Sequence, residues 1–173
     1  MNLKTNSVDF FSHHKIIPPG KDSELILAVW DIGNPGNMGH IIRLGHNVGA
    51  KKILFIKNDT DFRESKIKKT AGFSYEQMNW SYITETDFIQ LLNDEFRLVV
   101  LETSEGSQNI FDVTLPEKTI LLGGNESHGL PSHIIDLNNI SVHIPMPGGC
   151  KSMNISHALS VAAFEWYRQN MDK

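Results

Sequence analysis

Two glycine-rich turns carry most of the chemistry-bearing residues of this chain. Gly123–Leu130 reads GGNESHGL and holds one carboxylate, Glu126; Ile144–Ser156 reads IPMPGGCKSMNIS and holds a hydroxyl, Ser152, and an amide, Asn154. Each half by itself is only a bend. As an ordered pair at the ends of successive predicted strands they occupy the place where open α/β sheets put their ligands. A third segment, Asn34–Arg43 (NPGNMGHIIR), follows the first predicted strand and adds the amide of Asn37 and the guanidinium of Arg43. A carboxylate, a hydroxyl, two amides and a guanidinium can orient a polar substrate and stabilise charge on it. Taken alone, the third segment reads equally well as a helix cap with a surface arginine.

The elements that must position these groups follow from short apolar runs. Leu25–Trp30, Ile53–Ile56, Leu98–Leu101 and Thr119–Leu122 have the continuous apolar character of buried parallel strands. Between the first two, Pro35 and Gly36 force a turn, Asn37 is the expected helix cap, and Ile41, Leu44 and Val48 share one face before Gly49 ends the helix. Arg43 then projects off that face, near His40 and Asn47. Thr86–Leu92 reads as a further helix. In the last one, Ile155, Ala158, Leu159, Ala162, Ala163 and Trp166 recur at helical spacing. Its small residues suit close packing on the sheet, on a second copy of the chain, or on both. Strands alternating with helices predict an α/β fold with a mostly parallel sheet.

With 173 residues and 40% hydrophobic content, the chain suits one compact domain, read as residues 24–173 preceded by an arm or short extension over residues 1–23. A single cysteine, Cys150, excludes an internal disulfide, and the polar first residues lack a signal-peptide pattern, so a soluble cytoplasmic protein is expected. No run approaches the roughly 20 apolar residues that span a bilayer. The formal charge of −4 argues against a surface that is basic throughout, yet Lys51, Lys52, Arg63, Lys66, Lys68 and Lys69 form a basic middle. Eight histidines show no compact ligand spacing, and no metal is expected. Cys150 has no matched base and reads as a packed, inert thiol. The glycines do not match a dinucleotide fingerprint after the first strand, which disfavours a nucleotide-dependent oxidoreductase.

In order and spacing, NPGNMGHIIR, GNESHGL and IPMPGGCKSMNIS resemble the three motifs of the TrmH/SpoU branch of the SPOUT methyltransferases, over roughly Leu25 to Arg168. Departures are mild: Asn34 stands where Asp is common, Asn125 where Ala is frequent, and SMN at Ser152–Asn154 where SLN is usual. The resemblance implies a Rossmann-like, mostly parallel sheet flanked by helices, with a C-terminal trefoil knot, and a homodimer. It implies S-adenosylmethionine as cofactor, held by Thr103, Gly124, Ile144, Met146 and Met153, and methylation of a ribose 2′-hydroxyl of tRNA or rRNA.

By the same resemblance Arg43 is the catalytic arginine, with Asn37, Glu126, Ser152 and Asn154 around it. Glu126 is expected to hold the second-motif loop and Arg43. Because a guanidinium stays protonated, two readings of Arg43 stand: an unusual site that lets it act as a base, or charge stabilisation while phosphate or water takes the proton. The expected RNA-binding patch is Lys66, Lys68 and Lys69. A catalytically silent RNA- or cofactor-binding protein of the same fold is the alternative function.

Overall fold

The computed structural model describes residues 6–57, 63–92, 95–137 and 139–172. The order of elements is α1 (Ser7–Ser12), β1 (Glu24–Trp30), α2 (Pro35–Val48), β2 (Lys52–Ile56), α3 (Glu64–Ala71), α4 (Ser74–Gln77), β3 (Trp80–Ile83), α5 (Glu85–Leu91), β4 (Arg97–Leu101), β5 (Gln108–Asn109), β6 (Lys118–Gly123), α6 (Ser132–Ile135), β7 (Ile140–His143) and α7 (Ile155–Asn170). The strands form one seven-stranded sheet in the order β3-β2-β1-β6-β4-β7-β5, and every pairing in it is parallel.

Alternation along the strands feeds two apolar layers. On one face Leu25, Leu27, Val29, Phe55, Val99 and Leu121 pack under α2 and α7. On the other, Ile26, Ala28, Leu54, Val100 and Leu122 pack with Phe88 of α5 and Ile134 of α6. Buried on both faces, the four central strands contain few polar residues, which is why their apolar runs are continuous.

Gly123 ends β6 beneath α7. A Cβ there would lie 2.5 Å from Ile155 Cδ1, so the missing side chain lets the helix start directly on the strand. Ala162 and Ala163 are fully buried, so the small-residue side of α7 packs on this chain itself. Phe164 of the same helix is 47% exposed. Within the first 23 residues, α1 buries no side chain, whereas Tyr167 donates a hydrogen bond to Ile17 O and Gly20 N to Asn170 O, tying the following segment to the end of α7.

Asn37 does not cap α2. Asn34 does, its Oδ1 accepting from Gly36 N at 2.8 Å, with Pro35 in the first helical turn, where its missing N–H is harmless. Gly49, at φ 73°, closes the helix as expected.

Candidate active site

All three motifs meet at the carboxyl-terminal edge of the sheet, beyond β1, β6 and β7. Relieved of capping, Asn37 is 7% exposed and faces inward from the first turn of α2. Its Nδ2 donates to Glu126 Oε1 at 3.0 Å, and its Oδ1 accepts from Asn154 Nδ2 at 3.1 Å. The other Glu126 oxygen accepts from Gly33 N at 3.2 Å. Asn154 in turn caps α7, its Oδ1 accepting from Ser156 N and Ser156 Oγ at 2.9 and 2.7 Å. One chain of hydrogen bonds therefore runs from carboxylate to amide to amide to helix N-terminus and fixes three distant loops against each other. An amide donates to Glu126 and accepts from Asn154 at once without carrying charge, which suits the residue type at 37.

The second-motif loop is closed by its own Asn125. Backbone bonds join Asn125 and Gly129 in both directions, and Asn125 Oδ1 accepts from Ser127 N and His128 N. Its Nδ2 reaches across to Asp31 O, bridging to the end of β1. This departure from the family pattern is thus structural. Gly129 sits at φ 66°, which favours glycine, and a Cβ there would displace the Glu102 carboxylate, whose Oε2 lies 2.6 Å away.

Beside this frame lies a cavity of about 140 Å³ lined by Leu101, Glu102, Thr103, His143, Ile144, Met146, Lys151, Ser152, Met153 and Ala158. Thr103, Ile144, Met146, Met153 and Ser152, all named from the sequence, line it. Gly124, also expected there, does not line it; a Cβ at that position would meet Gly129 C at 2.6 Å and Glu102 Oε2 at 3.0 Å. Sequence reasoning missed Glu102 and His143. They stand at the ends of neighbouring strands, β4 and β7, that are not consecutive in the chain. Ser107 Oγ holds the His143 ring at Nδ1, 2.9 Å away. Lys151 Nζ donates to Met146 O at 2.8 Å and braces the third-motif loop. Cys150 is exposed on that loop, not packed, because the loop lies outside both apolar layers.

Arg43 stands apart from the frame. It is exposed on α2 and, among the described residues, has no hydrogen-bond or ion-pair partner; Glu126 is committed to Gly33 and Asn37 and does not hold it. The three lysines also separate. Lys68 pairs with Glu64 at 3.3 Å and Glu76 at 3.9 Å and lies over the Tyr75 ring, whereas Lys66 lies against Gly36 of α2. Hydrogen bonds from Tyr75 and Lys68 hold the Glu64 carboxyl below its usual range. Among the described residues no cluster of metal-ligating side chains occurs, and no helix is long and apolar enough to cross a membrane.

Fold and site together define an α/β protein with a parallel, Rossmann-like sheet and a candidate ligand site beyond the carboxyl ends of its strands. The sequence pattern of the SpoU rRNA Methylase family matches residues 24–164, and the chain belongs to that family. A protein of Escherichia coli O157:H7 described as an uncharacterized tRNA/rRNA methyltransferase, YfiF, is 33% identical over 151 residues, covering 85% of this chain and 43% of its own length. The present chain thus spans less than half of that relative. The tRNA (cytidine(34)-2'-O)-methyltransferase of Escherichia coli K12 is 33% identical over 150 residues, covering 84% of this chain and 93% of that enzyme. The crystal structure of an AdoMet-bound rRNA methyltransferase from Sinorhizobium meliloti matches with a TM-score of 0.79 at 26% identity, over 88% of this chain and 58% of that one.

Proposed function

We propose that this chain transfers a methyl group from S-adenosylmethionine to a ribose 2′-hydroxyl of tRNA or rRNA. The observation that carries the reading is the Glu126–Asn37–Asn154 chain of hydrogen bonds, which ties the three motifs together beside a cavity that the third motif lines. That cavity combines apolar walls with Glu102, Thr103, His143 and Ser152, a mix of hydrogen-bond donors and acceptors suited to a nucleoside with a polar tail. Thr103, Ile144, Met146 and Met153 would hold the cofactor, with Gly124 set against Glu102 of the cavity wall. When bound, the cofactor supplies an activated methyl group, so the protein must align the ribose oxygen and stabilise charge.

Arg43 is the residue for that charge. Without a partner among the described residues, its guanidinium serves by attracting the phosphate or the developing oxyanion, not by removing a proton. Ser152 orients the ribose or cofactor at the cavity wall. Asn37, Asn154 and Glu126 act as positioning residues through the loops they tie together.

The enzyme acts as a homodimer in this reading. A cavity of about 140 Å³ is smaller than the roughly 300–1,000 Å³ of sites that enclose a ligand, and in this reading a second copy covers what one chain leaves open. Phe164, exposed on the outer side of α7, suits that contact. The same reading gives the C-terminal passage the trefoil knot of the family. Its support is the path from β7 through residues 144–154 into α7, which returns to pack on β6 and α2. We place the protein in the cytoplasm with its RNA.

The test is methyl transfer from labelled S-adenosylmethionine to undermodified transfer and ribosomal RNA pools, followed by digestion to nucleosides, beside Arg43→Ala. A 2′-O-methylnucleoside that disappears in the variant supports the reaction and names the RNA class. Cofactor binding without transfer to either pool favours the silent binder, and no cofactor binding sinks the reading.

A further inference from the structure

Phe73 is 74% exposed, a large apolar side chain left in solvent at a junction that the chain is bent to make. Gly72, at φ 59°, ends α3 and turns the backbone so that Phe73 stands clear of the core while Ser74 is buried behind it. The ring lies 5.4 Å from that of His46, whose Nδ1 is held by Ser74 Oγ at 3.0 Å. His46 belongs to α2 and follows Arg43 by three residues, so Arg43, His46 and Phe73 form one continuous strip along the outside of the α2–α3 pair.

The strip is cationic. Helix α2 packs so tightly on α3 that a Cβ at Gly39 would lie 2.6 Å from Thr70 Cβ, which brings Lys66 against the start of α2, on the Arg43 side. Lys69 lies three residues along α3 from Lys66 and shares its face. Neither lysine has a carboxylate partner among the described residues; Glu64 and Glu76 both pair with Lys68. An aromatic face on the same helix pair as cations without a partner among the described residues complements an unstacked nucleobase flanked by phosphates, and few other partners require both.

Resting on the methyltransferase reading, we propose that Phe73 is a stacking platform for a nucleobase next to the ribose presented at Arg43, with Lys66 and Lys69 holding the adjoining phosphates. The platform selects RNA in which that neighbouring base is unpaired and able to leave its stack.

Filter binding of undermodified transfer RNA to the full chain tests this with Phe73→Ala, Phe73→Leu and Phe73→Trp, each checked for unchanged cofactor affinity by calorimetry. Loss of the platform is expected to weaken RNA binding by about 5- to 150-fold in the Ala and Leu variants, with Trp near wild type. Because no phosphate contact is removed, the salt dependence of binding stays as in the wild type, whereas Lys66→Ala with Lys69→Ala makes it shallower. If wild type methylates RNA and Phe73→Ala binds it equally well, or Leu serves as well as Phe, the platform is overturned and the enzyme reading stands. If Phe73→Ala instead shifts the sedimentation of the free protein, Phe73 belongs to a contact between copies and the proposal fails. Absence of methyl transfer by wild type to any RNA pool overturns both.

Discussion

Replacing Asn37 by Asp tests the hydrogen-bond chain at its central link. The Nδ2 that donates to Glu126 Oε1 at 3.0 Å becomes an acceptor, so two carboxylate oxygens meet at contact distance. At an effective dielectric of about 20, unit charges that close repel by about 5–6 kcal/mol. Glu126 is exposed, and water reduces this to about 2–3 kcal/mol; losing a hydrogen bond to a charged group adds about 1–2 kcal/mol. The expected loss of stability at about pH 8 is therefore about 3–5 kcal/mol, or roughly 6–20 °C in Tm for a chain of this size. Protonation reverses it, because a protonated carboxyl again donates to Glu126 and accepts from Asn154. The new group's pKa is raised in the folded state, so the deficit is full above that raised value and shrinks as pH falls toward the unfolded value near about 4. Asn37→Ala removes the same donor without adding charge, and its deficit stays constant with pH. Thermal unfolding of both variants and wild type from about pH 5 to 8 reads the difference. Equal deficits for Asn37→Asp at both ends of that range would refute the shared amide.

Other outcomes follow from contacts of the same kind. Gly39→Ala sets a Cβ 2.7 Å from Ile67 O and 2.9 Å from Ala71 N, both backbone atoms, and calorimetry should register a loss of about 1–3 kcal/mol as α2 and α3 separate. Glu165 is buried and receives Arg168 Nε and Nη2 at 2.8 and 2.7 Å, which hold its carboxyl below the usual range. Its stabilisation is present above the unfolded value and lost as pH falls through the folded one, so Glu165→Gln should lower Tm at neutral pH and match wild type in acid. A deficit independent of pH would show that the charge is immaterial. Lys68→Ala should leave the salt dependence of RNA binding unchanged, since Lys68 is already paired with Glu64 and Glu76; a slope reduced as much as by Lys66→Ala would return Lys68 to the RNA surface.

How much of this was legible depended on burial. Strands β1, β2, β4 and β6 are enclosed on both faces, so their runs are uninterrupted and stand out. Strand β3, at the sheet edge, is half-buried throughout and reads WSYI, while β7 reads ISVH; neither is long or apolar enough to signal itself. Helix α3 buries only Ile67 and Ala71, so its charged residues read as a mixed surface segment. The three motifs put Asn37, Glu126 and Asn154 in the site, yet the role of Asn37 was misread as a cap. Pro35 held the corrective signal, because proline favours the first helical turn and points to Asn34 as the cap before it. Glu102 and His143 left no local signal, since only the β4–β7 pairing makes them neighbours.

Strand order carries a consequence for how the molecule comes into being. Strand β6 lies between β1 and β4, so the middle of the sheet stays open until residues 118–123 arrive to fill it. Its register with β1 joins Glu24 to Lys118, a closure over most of the chain, and pairings of such long sequence separation form slowly. Glu126 follows that strand and Asn154 comes later still, so the bonds to Asn37 are among the last that the growing polypeptide can make. A nascent chain that has built β1, α2 and β2 holds Asn37 but has neither Glu126 nor Asn154 to fix it; the frame is withheld until β6 and the start of α7 are in place.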